Sequence, residues 1–202
     1  MPAVETSFYT NTDGGRYFDY VTEELPRKLC KYFPLSPLRE DNFLAGMSMG
    51  GHGTMKLGFS KPEKYAMLGI FSCANFIDMI GDMIPGGKRH PLNFIRWQVF
   101  GVQDEVGDLS VCHGTENDNR YLARLASESG KPLPKIFACC GRQDGCHDDE
   151  MEDLALFRSF PNPFDVTFYD CDGVHNFEFW DKWLAVFIQQ LPIRQRSHEV
   201  LS

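Results

Sequence analysis

The chain has 202 residues, 43% of them hydrophobic and 24% charged, enough for one well-buried globular domain. A net charge of −8 with histidine neutral argues against nucleic acid and anionic membrane as partners, and no apolar run approaches the ~20 residues of a spanning helix. The opening MPAVETSFYT has neither a basic start nor an apolar core, so no signal peptide is expected, and seven cysteines without a framework-like spacing suit a reducing cytoplasm.

Residues 1–15 are turn-rich and end in Asp13-Gly14-Gly15. From Arg16 to Phe33, Phe18, Val21, Leu25, Leu29 and Tyr32 recur at helical spacing, with Glu23, Glu24, Lys28 and Lys31 opposite. Pro26 inside that pattern is expected to kink the helix or shift its start. A connection through Pro34 and Pro37 leads to the short apolar run Phe43-Leu44-Ala45, of the kind a buried parallel strand shows. Gly46-Met47-Ser48-Met49-Gly50 follows, and then the helical spacing of Met55 and Phe59.

A G-x-S-x-G between a strand and a helix reads as a nucleophile elbow. A sharp strand-to-helix turn strains the serine backbone, and side chains two residues before and after it would collide. Glycine at Gly46 and Gly50 is expected to remove those collisions and let Ser48 project its hydroxyl. The helix behind it offers free N–H groups, and the Met49 amide is placed to hold a developing oxyanion. Glycine-serine loops are common, so the pattern gains its meaning from this strand-turn-helix context.

Ala66 to Phe71 is a second strand. From Ala74 to about Asn117 the pattern is irregular, with aromatics at Phe76, Phe94, Trp97 and Phe100, and reads as a partly helical insertion that walls a pocket. A helix is expected near Asn119 to Ser127, a third strand at Lys135 to Cys140, a helix at Asp148 to Phe157 and a fourth strand at Val166 to Tyr169. Phe177, Trp180, Leu184, Phe187, Ile188 and Leu191 outline a final amphipathic helix. Strands alternating with helices predict an α/β fold with a parallel sheet, in one domain.

A serine hydroxyl needs a base, and the base an orienting acid. In an open parallel sheet such groups gather at the carboxyl ends of the strands. Gly141-Arg142-Gln143-Asp144 puts Asp144 just past the third strand, and Asp170-Cys171-Asp172-Gly173-Val174-His175 puts His175 on the last loop. The order Ser48, Asp144, His175 is that of the α/β-hydrolases. Asp172 is the rival acid, but its spacing from His175 suits a loop-stabilising Asx turn. His52 is expected to pack beside the elbow, and His90, His113, His147 and His198 to be solvent-exposed. Cys139, Cys140, Cys146 and His147 fit no standard zinc spacing, because adjacent strand cysteines point to opposite faces, so no metal is expected.

The stretches GMSMGGHGTMKLGFSKPEKYA, GRQDGCHDDE and GVHNFEFWDKWLAVFIQQLP resemble the esterase D group of α/β-hydrolases, as do SFYTNTDGGRYFDYVTEELP and SGKPLPKIFACCG. That group includes tributyrin-type and acetyl carboxylesterases and S-formylglutathione hydrolases, and is similar to the antigen 85 fold. The resemblance runs through essentially the whole chain. It implies Ser48 as nucleophile, Asp144 as acid, His175 as base and hydrolysis of short-chain acyl esters without a cofactor. A thioesterase acting on S-formylglutathione and a shortened, non-catalytic hydrolase fold are the alternatives. Oligomers are also in keeping with the resemblance. Trp97, Phe100 and Trp180 are candidates for the acyl pocket, with core packing the plainer reading of each. Members of the group carry additional strands at the amino end, and a loop there donates a second oxyanion-hole N–H. Without those strands, Phe43-Leu44-Ala45 is expected at an open sheet edge.

Overall fold

A computed structural model describes residues 7–83, 93–101 and 109–193. It opens with a small antiparallel hairpin, β1 (Asn11–Thr12) and β2 (Gly15–Arg16). A helical stretch follows in three pieces: α1 (Tyr17–Asp19), a π-helical turn (Tyr20–Glu24) and α2 (Leu25–Tyr32). The break in regularity comes just before Pro26, which lies in the first turn of α2. Proline has no N–H to give the Thr22 carbonyl four residues back. Lys64 Nζ donates to that carbonyl instead, at 3.1 Å. The expected apolar stripe of this helix is mostly not buried: Val21 is, whereas α2 buries no residue and Tyr32 is 80% exposed.

The main sheet has four strands, β3 (Phe43–Met47), β4 (Met67–Phe71), β5 (Lys135–Gly141) and β6 (Val166–Cys171), in that spatial order and all parallel. Each strand expected from the sequence is present. Between them run α3 (Met49–Ser60), α4 (Phe76–Met83), α5 (Asn93–Gln98), α6 (Asn119–Glu128) and α7 (His147–Ser159), and α8 (Phe177–Gln190) closes the chain's described part. Among the described residues β3 is an edge strand, half-exposed along its length, while β4 and β5 are almost wholly buried.

Period-two alternation divides the sheet between two cores. Leu44, Leu68, Ile70, Ile136, Ala138, Val166 and Phe168 face α3, α6 and α7, where they meet Met55, Phe59, Leu122, Leu154 and Phe157. Phe43, Met47, Met67, Phe71, Phe137, Cys139 and Tyr169 face α8 and meet Phe179, Trp180, Trp183 and Phe187. Both faces are covered, which is why the strands read as unbroken apolar runs. Fully burying one such phenylalanine stabilises by roughly 1.5–3 kcal/mol, and Phe71 and Phe137 are at 0% exposure.

The buried side of α8 is rotated from the expected stripe. Phe179 and Trp183 lie inside, while Phe177 is 75% and Ile188 49% exposed. Within 74–117, α4 and α5 send Phe76, Ile77, Ile80 and Ile95 into the larger core, while 84–92 and 102–108 lie outside the described residues. Cys139 and Cys140 do point to opposite faces, and all seven cysteines are free. No helix among the described residues is long and apolar enough to cross a membrane.

Candidate active site

Ser48 sits where β3 turns into α3, with φ 52° and ψ −121°, a left-handed conformation that a side chain rarely adopts. The strain is held by backbone bonds. The Ser48 amide donates to the Phe71 carbonyl at 2.9 Å, and its carbonyl accepts from Gly51 and His52 at 2.9 and 3.2 Å. The two motif glycines are not equivalent. A Cβ on Gly46 would run into the Gly50 carbonyl group, whereas one on Gly50 would meet only Tyr9 Oη, at 3.9 Å. The expected collision is therefore one-sided: Gly46 must be glycine, and Gly50 matters as the backbone it approaches. Met49 is the first residue of α3, so its amide has no acceptor within the helix.

A second close crossing brings the other two loops together. A Cβ on Gly141, at the end of β5, would strike the Gly173 backbone in the loop after β6. The Gln143 amide donates to the Gly173 carbonyl at 3.1 Å, and the Gly173 amide donates to Gln143 Oε1 at 2.8 Å. Beyond them, Asn176 caps α8 by accepting from the Phe179 amide at 2.9 Å. The loop carrying His175 is thus fixed at both ends.

These turns align three side chains. His175 Nε2 lies 2.9 Å from Ser48 Oγ, and His175 Nδ1 lies 3.0 Å from each carboxylate oxygen of Asp144. Asp144 is buried and accepts from the Cys146 amide at 2.9 Å. Burial acts to raise its pKa, but the Cys146 amide, the Ser72 hydroxyl and His175 outweigh it, and the net shift is downward. Trp180 sets its ring edge-on to the His175 imidazole, centroids 4.8 Å apart. Asp172 does not reach the imidazole as partner. Its carboxylate is 82% exposed and faces Arg142 Nη1 at 3.3 Å, tying the two loops together from outside.

Other expected residues fall elsewhere. Phe100 packs on Phe8, centroids 5.8 Å apart, and Trp97 is 52% exposed. His52 is buried between Phe8 and Phe76, and the Asn119 amide lies 3.1 Å from its Nδ1. His147 departs from the expected exposure: its side chain is only 17% exposed, between Asp148 at 3.0 Å and Asp170 at 3.3 Å. His113 is 44% exposed and 3.1 Å from Asp78. His90 and His198 lie outside the described residues.

Two neighbours of the site have no role there in the sequence reading, which weighs Cys146 only for zinc and passes over Glu150. Cys146 places its sulfur 3.9 Å from His175 Nδ1, and burial pushes the thiol up to about 12. Glu150 is fully buried on α7, accepts from the Cys73 amide at 2.7 Å, and is raised well above the ordinary carboxylate range by that burial. The position of Cys146 two residues after Asp144 was the available signal. Glu150 gave none, since acidic residues in a first helical turn ordinarily face solvent.

A helix-flanked parallel sheet carrying a serine in a strained strand-to-helix turn, with histidine and aspartate on later loops, has the architecture of the α/β-hydrolase fold. Residues 6–192 match the family described as "Putative esterase", and the chain belongs to that family. It is 31% identical over 192 residues to an acetyl esterase of Caldicellulosiruptor saccharolyticus, covering 92% of this chain and 68% of that protein. Among solved structures it is similar to FphF, a fluorophosphonate-binding serine hydrolase of Staphylococcus aureus, with TM-score 0.80, 30% identity, and coverage of 96% of this chain and 71% of that one. The S-formylglutathione hydrolase FrmB of the same organism gives TM-score 0.75 and 31% identity, over 95% of this chain and 70% of that one. These relatives are esterases and serine hydrolases, and the class of this chain is carboxylic ester hydrolase.

Proposed function

We propose that the protein is a serine carboxylesterase acting on short-chain acyl esters through an acyl-enzyme. The observation that carries this reading is the unbroken line from Ser48 Oγ to His175 Nε2 at 2.9 Å and from His175 Nδ1 to Asp144 at 3.0 Å, starting from a strained serine. His175 takes the Ser48 proton as Oγ attacks the ester carbonyl. Asp144, kept ionised by its hydrogen bonds, holds the imidazole in the tautomer with hydrogen on Nδ1 and stabilises the cation that forms. The Met49 amide, at the positive end of α3, receives the oxyanion. His175 then returns the proton to the leaving alcohol, and water repeats the cycle on the acyl-enzyme.

Trp180 serves in this scheme to steady the imidazole, its ring edge-to-face with it at 4.8 Å. The decisive experiment is p-nitrophenyl acetate hydrolysis by wild type and Ser48→Ala. Turnover that disappears in the variant supports the reading, and equal turnover in the two abolishes it. The likeness to FrmB favours one second reading, a thioesterase for S-formylglutathione. Comparing kcat/KM for S-formylglutathione and for acetyl esters on the same preparation decides between them.

A further inference from the structure

Cys146 takes no part in the proposed mechanism, yet its thiol faces the nitrogen on which that mechanism turns. Its Sγ is 3.9 Å from His175 Nδ1, Nδ1 is 3.0 Å from both Asp144 oxygens, and the three ligand atoms all lie within 4.8 Å of one another. A zinc ion bonds sulfur at about 2.3 Å and imidazole nitrogen or carboxylate oxygen at about 2.0–2.2 Å, so its ligand atoms stand roughly 3–4 Å apart. Sulfur, nitrogen and oxygen donors at this spacing match a borderline-soft divalent cation and not a hard one such as Mg²⁺. Ser72, fully buried, turns its hydroxyl toward the same corner, beside Asp144 and Cys140.

We propose that Asp144, Cys146 and His175 form a site for a thiophilic divalent cation, Zn²⁺ in the first instance, and that filling it switches the hydrolase off. The cation bonds Cys146 Sγ, whose proton leaves to solvent, and takes the lone pair that Nδ1 presents once its proton is gone. The neutral ring then carries that hydrogen on Nε2. An Nε2–H can donate to Ser48 Oγ but cannot accept its proton, so the base is lost while the fold is kept. One cation, one thiolate and one carboxylate make a neutral set, which suits a buried place. Inhibition rests on His175 being the base; binding does not.

The test uses the metal ions alone, in a Cys30→Ser background that removes the exposed thiol. Cobalt(II) added to the folded chain is expected to give a thiolate-to-metal charge-transfer band, absent in Cys146→Ala and in Cys146→Ser. Zn²⁺ is expected to stop p-nitrophenyl acetate turnover reversibly, with EDTA restoring it. Relative to its own metal-free rate, Cys146→Ala should need more added Zn²⁺ by at least the ~10–100-fold that loss of a ligand's supporting contact costs. No thiolate band in the parent, or equal Zn²⁺ sensitivity with and without the thiol, overturns the proposal. If the metal-free parent has no turnover, the esterase reading fails, and the cobalt band still decides the site. Cys146→Ser guards against an alanine variant that does not fold.

Discussion

Replacing Gly46 by alanine sets a methyl group against peptide backbone. The added Cβ would lie inside contact distance of the Gly50 carbonyl carbon and oxygen and 2.9 Å from Gly50 Cα. No rotamer change relieves backbone, so β3 and the first turn of α3 must separate, and Ser48 moves with them. Forcing an extra carbon into a packed place destabilises by about 1–3 kcal/mol, which for a chain of this size lowers Tm by roughly 2–4 °C per kcal/mol. A misplacement of about 1 Å at the reacting group costs about 10² in turnover. Alanine at Gly50 meets only Tyr9 Oη at 3.9 Å, an ordinary contact. It sits in a helix, where alanine is favoured over glycine by up to roughly 0.5–1 kcal/mol. Urea unfolding and p-nitrophenyl acetate kinetics on both variants read the difference. Gly46→Ala should be less stable and about a hundredfold slower, and Gly50→Ala should stay close to wild type in both. Equal losses in the two variants would refute the one-sided collision.

Burial, and then the charge of Lys56, push the His52 pKa down to about 3 from 6.5. The unfolded chain therefore takes up a proton below pH 6.5 that the folded chain refuses, and stability falls as pH drops from there toward 3, at up to about 1.36 kcal/mol per pH unit. His52→Phe keeps a ring between Phe8 and Phe76 and should lack that increment when urea midpoints at pH 7 and pH 5 are compared; parallel losses would count against it. Asp153, 4% exposed and paired with Arg120, has its pKa raised to about 6 because burial exceeds the pull of the guanidinium. Arg120→Met strands that carboxylate. The loss should approach ~3–5 kcal/mol in alkaline urea melts and shrink below pH 6, where Asp153 is protonated; a pH-independent loss would mean that packing, not charge, is what Arg120 supplies.

The four strands were legible as short apolar runs bounded by turn residues and alternating with helical patterns, as a covered parallel sheet requires. Ser48, Asp144 and His175 were legible because a parallel sheet delivers its loops to one end. The choice between Asp144 and Asp172 turned on loop geometry that spacing alone expresses poorly; it follows from the Gly141–Gly173 crossing, which leaves Asp172 outside. The first helix misled for a different reason. Its apolar periodicity is genuine, but Pro26 forces a π-helical turn that advances the register, and the stripe no longer meets the core along its length. In α8 the aromatics are so dense that two overlapping stripes fit, and packing on Phe71 and Phe137 selects the one through Phe179 and Trp183. Trp180, a pocket candidate with core packing as its plainer reading, is buried in the second core and sets its ring beside the imidazole.

Glu150 is the residue no pattern could have marked, and it bears on how Asp144 keeps its charge. Two carboxyls lie near one buried corner, and their surroundings drive them apart. Glu150 is pushed up, first by burial and then in part by Asp144, while Asp144 is pulled down by the Cys146 amide, Ser72 and His175 despite its burial. The charge is therefore favoured on the carboxyl that faces the imidazole, and Glu150 is biased toward its neutral form, accepting from the Cys73 amide at 2.7 Å beside Ser72. A neutral isostere should do the same work. Glu150→Gln is expected to keep wild-type turnover at neutral pH. A carboxyl whose folded pKa lies above its unfolded value of 4.5 gives stability that is full below that pH and is lost as pH rises through the folded pKa. The variant has no such loss, so its stability relative to wild type should climb with pH in urea melts from pH 5 to pH 9. If Glu150→Gln instead falls behind as pH rises, the ionised form of Glu150 is the one the fold requires, and the division of charge between the two carboxyls is the reverse of that argued.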